Sequence, residues 1–285
     1  MKAIATSAPP QPRVKEPEFD AAQLMGGLYG DGIVALKGAF SREWALRMRE
    51  DIDRLFEEAR ARPGALVERG PARYYEEIHP ERIRGFADVA AHPWFVAVCS
   101  AVLGPDYKII EVGYDVPGPG AEYQPWHRDF PSPEATLRGR RLNSLAFNLS
   151  GVDTTDELGP FEIAPGTQWD DQEGWEDGMF PPESLYARYE ARAQRRYAQL
   201  GDISARSALT IHRGTPNRSN QFRPVLVIGV DAPDARNAER HDVQVTEQYW
   251  LTLPEIVRRH LGGRVVKKLE PIVQAHQIEG LRKGV

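Results

Sequence analysis

The residues best placed to do chemistry are a histidine and an aspartate two positions apart, His127 and Asp129, in the run Gln124-Pro125-Trp126-His127-Arg128-Asp129-Phe130. On extended backbone, residues two apart face the same side, so this imidazole and this carboxylate converge. They are two thirds of a facial metal site. The third ligand is expected to be a histidine far down the chain, and His212 is the candidate. Two histidines and a carboxylate on an octahedral iron(II) leave three positions open, enough for a bidentate cosubstrate and dioxygen. His79-Pro80-Glu81 offers a similar spacing but is set aside, because nothing downstream of it repeats the rest of the pattern.

A second cluster occupies residues 210–224. His212 closes a strand-like run, and Arg223, eleven residues later, opens the next. That spacing reads as a hairpin with the histidine on one strand and the arginine on its partner. A keto acid that chelates iron leaves its far carboxylate pointing inward. A planar guanidinium answers it with paired, charge-assisted hydrogen bonds. A buried arginine with no such partner would be costly.

With these residues in view, the chain resembles the phytanoyl-CoA dioxygenase family of iron(II)- and 2-oxoglutarate-dependent oxygenases. The resemblance rests on His127-x-Asp129, the distal His212, Arg223 after it, and Gly159-Pro160 followed by Pro165-Gly166-Thr167-Gln168, where Ser-His is the usual ending. It spans roughly residues 19–233. It implies a double-stranded β-helix, or jelly roll, with His127, Asp129 and His212 as metal ligands and catalytic centre. It further implies Fe(II), 2-oxoglutarate and O2 as cofactors, with Arg223 holding 2-oxoglutarate. Many relatives place a serine two after the distal histidine; here that position is Gly214, so Thr215 or Thr210 is expected to substitute. Gln124 resembles a glutamine that contacts the cosubstrate in some relatives. Halogenating relatives lack the carboxylate, so Asp129 favours hydroxylation, with desaturation or epoxidation as alternatives on the same ligands. A cupin-like metal-binding protein without oxygen chemistry is the rival reading, and such a barrel has no need of Arg223. Tyr75, Trp126, Phe130 and Trp169 are expected to touch substrate. The sequence has no basic cluster suited to CoA phosphates, which points to a free small molecule.

Something must hold these side chains in place. The 285 residues suit one large domain. A net charge of −5 and a pI near 5.9 give no electrostatic reason to expect nucleic acid or a membrane as partner. The lone Cys99 fits a reducing compartment, so a cytoplasmic monomer or homodimer is expected. Residues 1–18, rich in Pro, Ala and charge, read as a disordered tail. Residues 19–285 read as a single domain: helical over 19–104, a jelly-roll core over about 105–250, and an extension over 251–285. Asp20 and Ser41 are expected to cap helices, the second with Trp44, Met48, Ile52, Leu55 and Phe56 on one face. Residues 93–102 read as a buried helix. Strands are expected at 33–36, 107–116, 126–130, 142–149, 160–163, 207–212 and 225–230. Residues 73–79 could be strand or loop. Residues 183–200 look helical, and the acidic loop 169–177 carries two tryptophans that could serve a lid. Helices first and strands later point to an α+β protein with a mainly β core and helices packed on one side.

Overall fold

A computed structural model describes residues 19–274 and 278–282. The tail reading of residues 1–18 falls outside these described residues. Four helices matter for the site's support: α1 (Ala21–Gly30), α2 (Arg42–Arg60), α3 (Phe86–Ala90) and α4 (Pro93–Leu103). The strands are β1 (Ile33–Leu36), β2 (Val67–Glu68), β3 (Arg73–Glu77), β4 (Lys108–Pro117), β5 (Ser144–Ser150), β6 (Phe161–Ile163), β7 (Gln194–Arg196), β8 (Ile203–Ser207), β9 (His212–Gly214), β10 (Val225–Asp231), β11 (Gln244–Thr246) and β12 (Arg264–Val266).

The caps form as expected. The Asp20 carboxylate accepts from Ala22 N at 2.8 Å, and the Ser41 hydroxyl accepts from Trp44 N at 3.2 Å. Met48, Ile52, Leu55 and Phe56 of α2 are buried together, while Arg47–Glu43 and Arg54–Glu58 pairs cover the outer face. Each such apolar side chain contributes roughly 1.5–3 kcal/mol on burial. Proline at the first turn opens α4, and Gly104, at φ +90°, closes it in a conformation that other residues rarely adopt.

Seven strands form one antiparallel sheet in the order β1-β8-β5-β10-β4-β3-β2, and β7-β6-β9 form a smaller one. The pleat sorts side chains onto two faces. Phe147 and Leu149 of β5, with Leu226, Ile228 and Val230 of β10, join the helices in the main core. Ala146, Asn148, Val225, Val227 and Gly229 turn the other way and line a cavity, whose opposite wall carries Phe161, His212 and Gly214 of the small sheet. This is the mixed α+β arrangement with a jelly-roll core and helices packed on one side of the large sheet.

Four expectations are corrected. Residues 126–130 do not form a ladder: prolines at both ends, Pro125 and Pro131, withhold N–H donors. The segment touches β9 through a single reciprocal bridge between His127 and His212. Residues 207–212 are not one strand: β8 ends at Ser207, a turn closed by Thr210 N donating to Ser207 O follows, and β9 begins at His212. That turn moves the chain from the large sheet to the small one. His212 and Arg223 are therefore not hairpin partners; β9 belongs to the small sheet, and Arg223 leads into β10 of the large sheet. They line one cavity from different sheets instead. Residues 183–200 are helical only in their first part, a 3-10 turn at Glu183–Leu185 and a short helix at Tyr186–Glu190, before β7 pairs with β6, where Arg195 also bonds Glu162 at 3.2 Å. Of residues 73–79, open from the sequence, Arg73–Glu77 form β3.

Candidate metal centre and cosubstrate cavity

One ligand atom from each of His127, Asp129 and His212 lies within 4.8 Å of the others. Three devices bring them together. The bridge N–H groups of His127 and His212 donate to each other's carbonyls at 3.0 and 2.9 Å. Asp129 N donates to Ala208 O at 2.9 Å, fixing the carboxylate beside them. The rings are held alike: His127 Nδ1 lies 2.8 Å from Pro125 O, and His212 Nδ1 lies 2.9 Å from Thr210 O. A carbonyl can only accept, so Nδ1 carries the proton and Nε2 keeps its lone pair for the centre. Burial lowers both imidazoles, His127 to about 4 and His212 well below its usual value. Both are thus neutral donors at pH 7. Asp129 is ionised. Burial alone would raise its carboxyl, but Arg206 and the two histidines hold it well below the usual range.

Arg206 is the residue that the sequence reading missed. From β8 it grips Asp129 with both nitrogens, at 2.7 and 3.1 Å. Its signal was weak: one arginine in a short alternating strand, six residues before His212. Only the pleat, which turns Ala205 into the core and Arg206 into the cavity, identifies it.

The other end of the cavity is cationic. Arg223 is 7% exposed, and its buried Nε has no hydrogen-bond partner among the described residues. Burial lowers its pKa, with Asp115 partly opposing. Arg73 of β3, 1% exposed, stands near it. Its Nε and Nη2 donate to Glu122 O at 3.1 and 3.0 Å, and Nη2 also reaches Thr215 O. Burial and the charge of Arg223 lower Arg73 to about 10. Gly214 makes room for it: a Cβ there would lie 2.4 Å from Arg73 Nη1.

The remaining candidates divide. Gln124 and Phe130 line the cavity. Both ends of the Gln124 amide are taken by backbone: Oε1 accepts from Gly214 N at 3.0 Å, and Nε2 donates to Arg69 O at 2.7 Å. Thr215 is not brought to the cavity, because its hydroxyl donates to Pro160 O at 2.7 Å. Trp126 is fully buried against Tyr189 and Ile211, behind the cavity wall. Trp169 packs on Tyr29 and donates its Nε1 to Tyr29 O at 3.0 Å. Tyr75 is buried, with its hydroxyl on Glu111 and its ring covered by Arg69. In the acidic loop, Trp169 and Trp175 are anchors, the latter beneath the Arg128 guanidinium at 4.2 Å. His79, of the discarded spacing, has both ring nitrogens engaged by backbone, at Glu270 O and Gln244 N.

The donor set suits a hard-to-borderline divalent ion with open positions. Arg223, a buried cation with an unpartnered Nε among the described residues, suits a carboxylate. The profile of the family described as phytanoyl-CoA dioxygenase (PhyH) matches residues 28–225. No curated protein matches the chain. Among solved structures, the chain is similar to the epimerase SnoN in complex with Fe3+, alpha-ketoglutarate and nogalamycin RO, at a TM-score of 0.60 and 16% identity over 74% of this chain and 83% of that one. It is similar to the carbocyclase SnoK from nogalamycin biosynthesis, at a TM-score of 0.60 and 15% identity over 74% and 84%. It is also similar to EctD from S. alaskensis with bound Fe, at a TM-score of 0.58 and 17% identity over 77% and 79%. Among the described residues, no helix is long and apolar enough to cross a membrane.

Proposed function

The chain belongs to the phytanoyl-CoA dioxygenase family, and from that premise we propose that it is an iron(II)- and 2-oxoglutarate-dependent dioxygenase hydroxylating an unactivated C–H bond of a small molecule. The overall reaction takes substrate, O2 and 2-oxoglutarate to hydroxylated substrate, succinate and CO2. Bound iron with its 2-oxo acid supplies the oxidising chemistry. The protein's part is positioning.

In this reading His127 Nε2, Asp129 and His212 Nε2 hold the metal. The Nδ1 hydrogen bonds to Pro125 O and Thr210 O keep both rings aimed inward. Arg206 sets the plane of the Asp129 carboxylate and keeps it ionised. Arg223 binds the far carboxylate of 2-oxoglutarate, and Arg73, in the space that Gly214 leaves, adds a second positive charge beside it. Two buried guanidiniums, each lowered by burial and Arg73 further by the charge of Arg223, favour a doubly charged guest. Hydroxylation is preferred because it asks no further acid or base of the cavity. The epimerase and carbocyclase names of similar structures mark where the proposal is most exposed, since one ligand set serves several outcomes.

The observation that carries the reading is Arg223, a buried cation whose Nε has no hydrogen-bond partner among the described residues, on the same cavity as three converged candidate metal donors. The test is succinate release with Fe(II) and 2-oxoglutarate in wild type and Arg223→Gln. The variant is expected to raise the KM for 2-oxoglutarate by roughly a hundredfold, the loss of a charge-assisted pair. An unchanged KM would remove the main support for the assignment and favour a metal-binding barrel without oxygen chemistry.

A further inference from the structure

We infer that the molecule oxidised is a small carboxylate with an apolar body, and that the Arg69 guanidinium on the face of Tyr75 is its anchor. The inference rests on the oxygenase reading above. Among the described residues, five arginines line the cavity against three carboxylates. A divalent ion and a doubly charged cosubstrate cancel each other, so the loaded cavity keeps its positive excess. In a space of low dielectric an uncompensated cation is costly, and an anionic guest relieves it.

Arg69 is the cation left over. Arg206 is engaged by Asp129, Arg73 by two carbonyls, Arg223 by the cosubstrate, and Arg240 sits exposed at the rim. The Arg69 guanidinium carbon lies 3.5 Å from the Tyr75 ring centroid, and its buried Nε has no partner among the described residues. The platform is fixed: Tyr75 is fully buried, with its hydroxyl bonded to Glu111. The base of the side chain is fixed as well. Arg69 N donates to Arg73 O at 3.0 Å, and Arg69 O accepts from Gln124, whose Oε1 in turn accepts from Gly214 N. A guanidinium stacked by its face keeps its N–H edge free, and that planar fork matches a planar carboxylate. The apolar part of the guest has a matching wall. Phe130, Ile278 and Leu281 pack together and face the same cavity.

The test loads the full chain with Fe(II) and 2-oxoglutarate, admits oxygen, and reads succinate release. The probes are a panel of small aliphatic and aromatic carboxylic acids, their primary amides, and phosphate monoesters of matching alcohols. Acids are expected to stimulate release at least roughly tenfold more than their amides. Arg69→Met keeps an apolar stem on the ring. It is expected to raise the KM of a stimulating acid by roughly a hundredfold, with the KM for 2-oxoglutarate moving less than about threefold. Arg69→Lys is expected to recover part of that loss. Amides as effective as acids, no stimulating acid, or a preference for phosphate esters would overturn the inference. So would an Arg69→Met variant that weakens 2-oxoglutarate as much as the acid. The oxygenase reading is judged separately, by the visible charge-transfer band of the anaerobic Fe(II)–2-oxoglutarate protein, which needs no substrate. A missing band sinks that reading; a band without acid preference sinks only this inference.

Discussion

The large sheet has two buried faces that do opposite work. On the helix side, Phe147 stacks on Phe95 with centroids 4.2 Å apart, and Leu149, Ile228 and Val230 fill the space around it. On the cavity side, the same strands and their neighbours present Asn148, Asp115 and Arg206, with Arg223 at the entry to β10. Both faces withdraw side chains from water, the cavity face less completely since Asp115 and Asn148 are half-buried, yet only the helix face lowers the free energy of folding by doing so. The cavity face holds charges that burial disfavours: burial lowers the pKa of Arg223, while Asp129 stays ionised only because Arg206 and its other neighbours outweigh burial. A buried position is therefore not evidence of one role. The sign of the burial term, favourable for a phenyl ring and unfavourable for a guanidinium, separates scaffold from site.

Substitutions on the two faces should fail differently. Asp129→Ala should have the largest effect. It removes a ligand and leaves the Arg206 cation facing the metal position unopposed, so metal-dependent 2-oxoglutarate consumption should fall by about a thousandfold or more, a change of roughly 4 kcal/mol. Mn(II) titration by calorimetry should show the same loss. A variant that kept wild-type turnover would break the distinction between the faces at its centre. On the helix face, Phe147→Ala should cost about 3–5 kcal/mol in stability, read as a lower urea midpoint. The fraction still folded should bind 2-oxoglutarate as wild type does. A raised KM in that fraction would mean that the faces are mechanically coupled.

The helix face was also the more legible one. The caps at Asp20 and Ser41 and the α2 stripe follow from local rules, because each depends on residues within one or two turns. The convergence of the proposed donors was legible for a related reason: His127 and Asp129 sit two apart, and extended backbone at that spacing aims them together. What the sequence hid was non-local. The move from β8 to β9 looks like one continuous strand, since Ala208, Leu209 and Ile211 are as apolar as strand residues, yet they are buried in the crossing between sheets. That is why His212 and Arg223 looked like hairpin partners when they line one cavity from different sheets. Trp126 and Trp169 looked like a pocket wall for the same reason, since a buried indole reads alike on either side of a strand. Arg206 escaped notice because its importance comes from a partner far along the chain, whereas Arg73, which does line the cavity, was one of the residues of 73–75 expected to face the site.

Arg206 gives the sharper test of the cavity face, because it touches the ligand and not the metal. Arg206→Met removes both bonds to Asp129 while keeping much of the side chain's volume. Metal affinity should drop by about ten- to a hundredfold, the usual cost of losing a partner that orients a ligand. Because the three donors remain, excess Fe(II) should restore most of the turnover, and the charge-transfer band should return with it. A variant whose turnover stays lost under saturating metal would place Arg206 in contact with the reacting groups instead.

The smallest effect belongs to Thr215, which separates the family-based expectation from the geometry. Its hydroxyl donates to Pro160 O and its side chain is 2% exposed, so its contribution is to join β9 to the segment entering β6. Thr215→Val keeps the shape and removes the donor, leaving one buried carbonyl short of a partner. The expected cost is about 1 kcal/mol of stability. The KM for 2-oxoglutarate should stay within about twofold of wild type, because the position that faces the cosubstrate end is Gly214, filled from β3 by Arg73. Gly214→Ser supplies the contrast, since its Cβ would displace Arg73 Nη1 and change that KM. If Thr215→Val instead weakened 2-oxoglutarate tenfold while Gly214→Ser did nothing, the hydroxyl would have to turn toward the cavity in the loaded protein. The assignment of Arg73 to the cosubstrate would then fall.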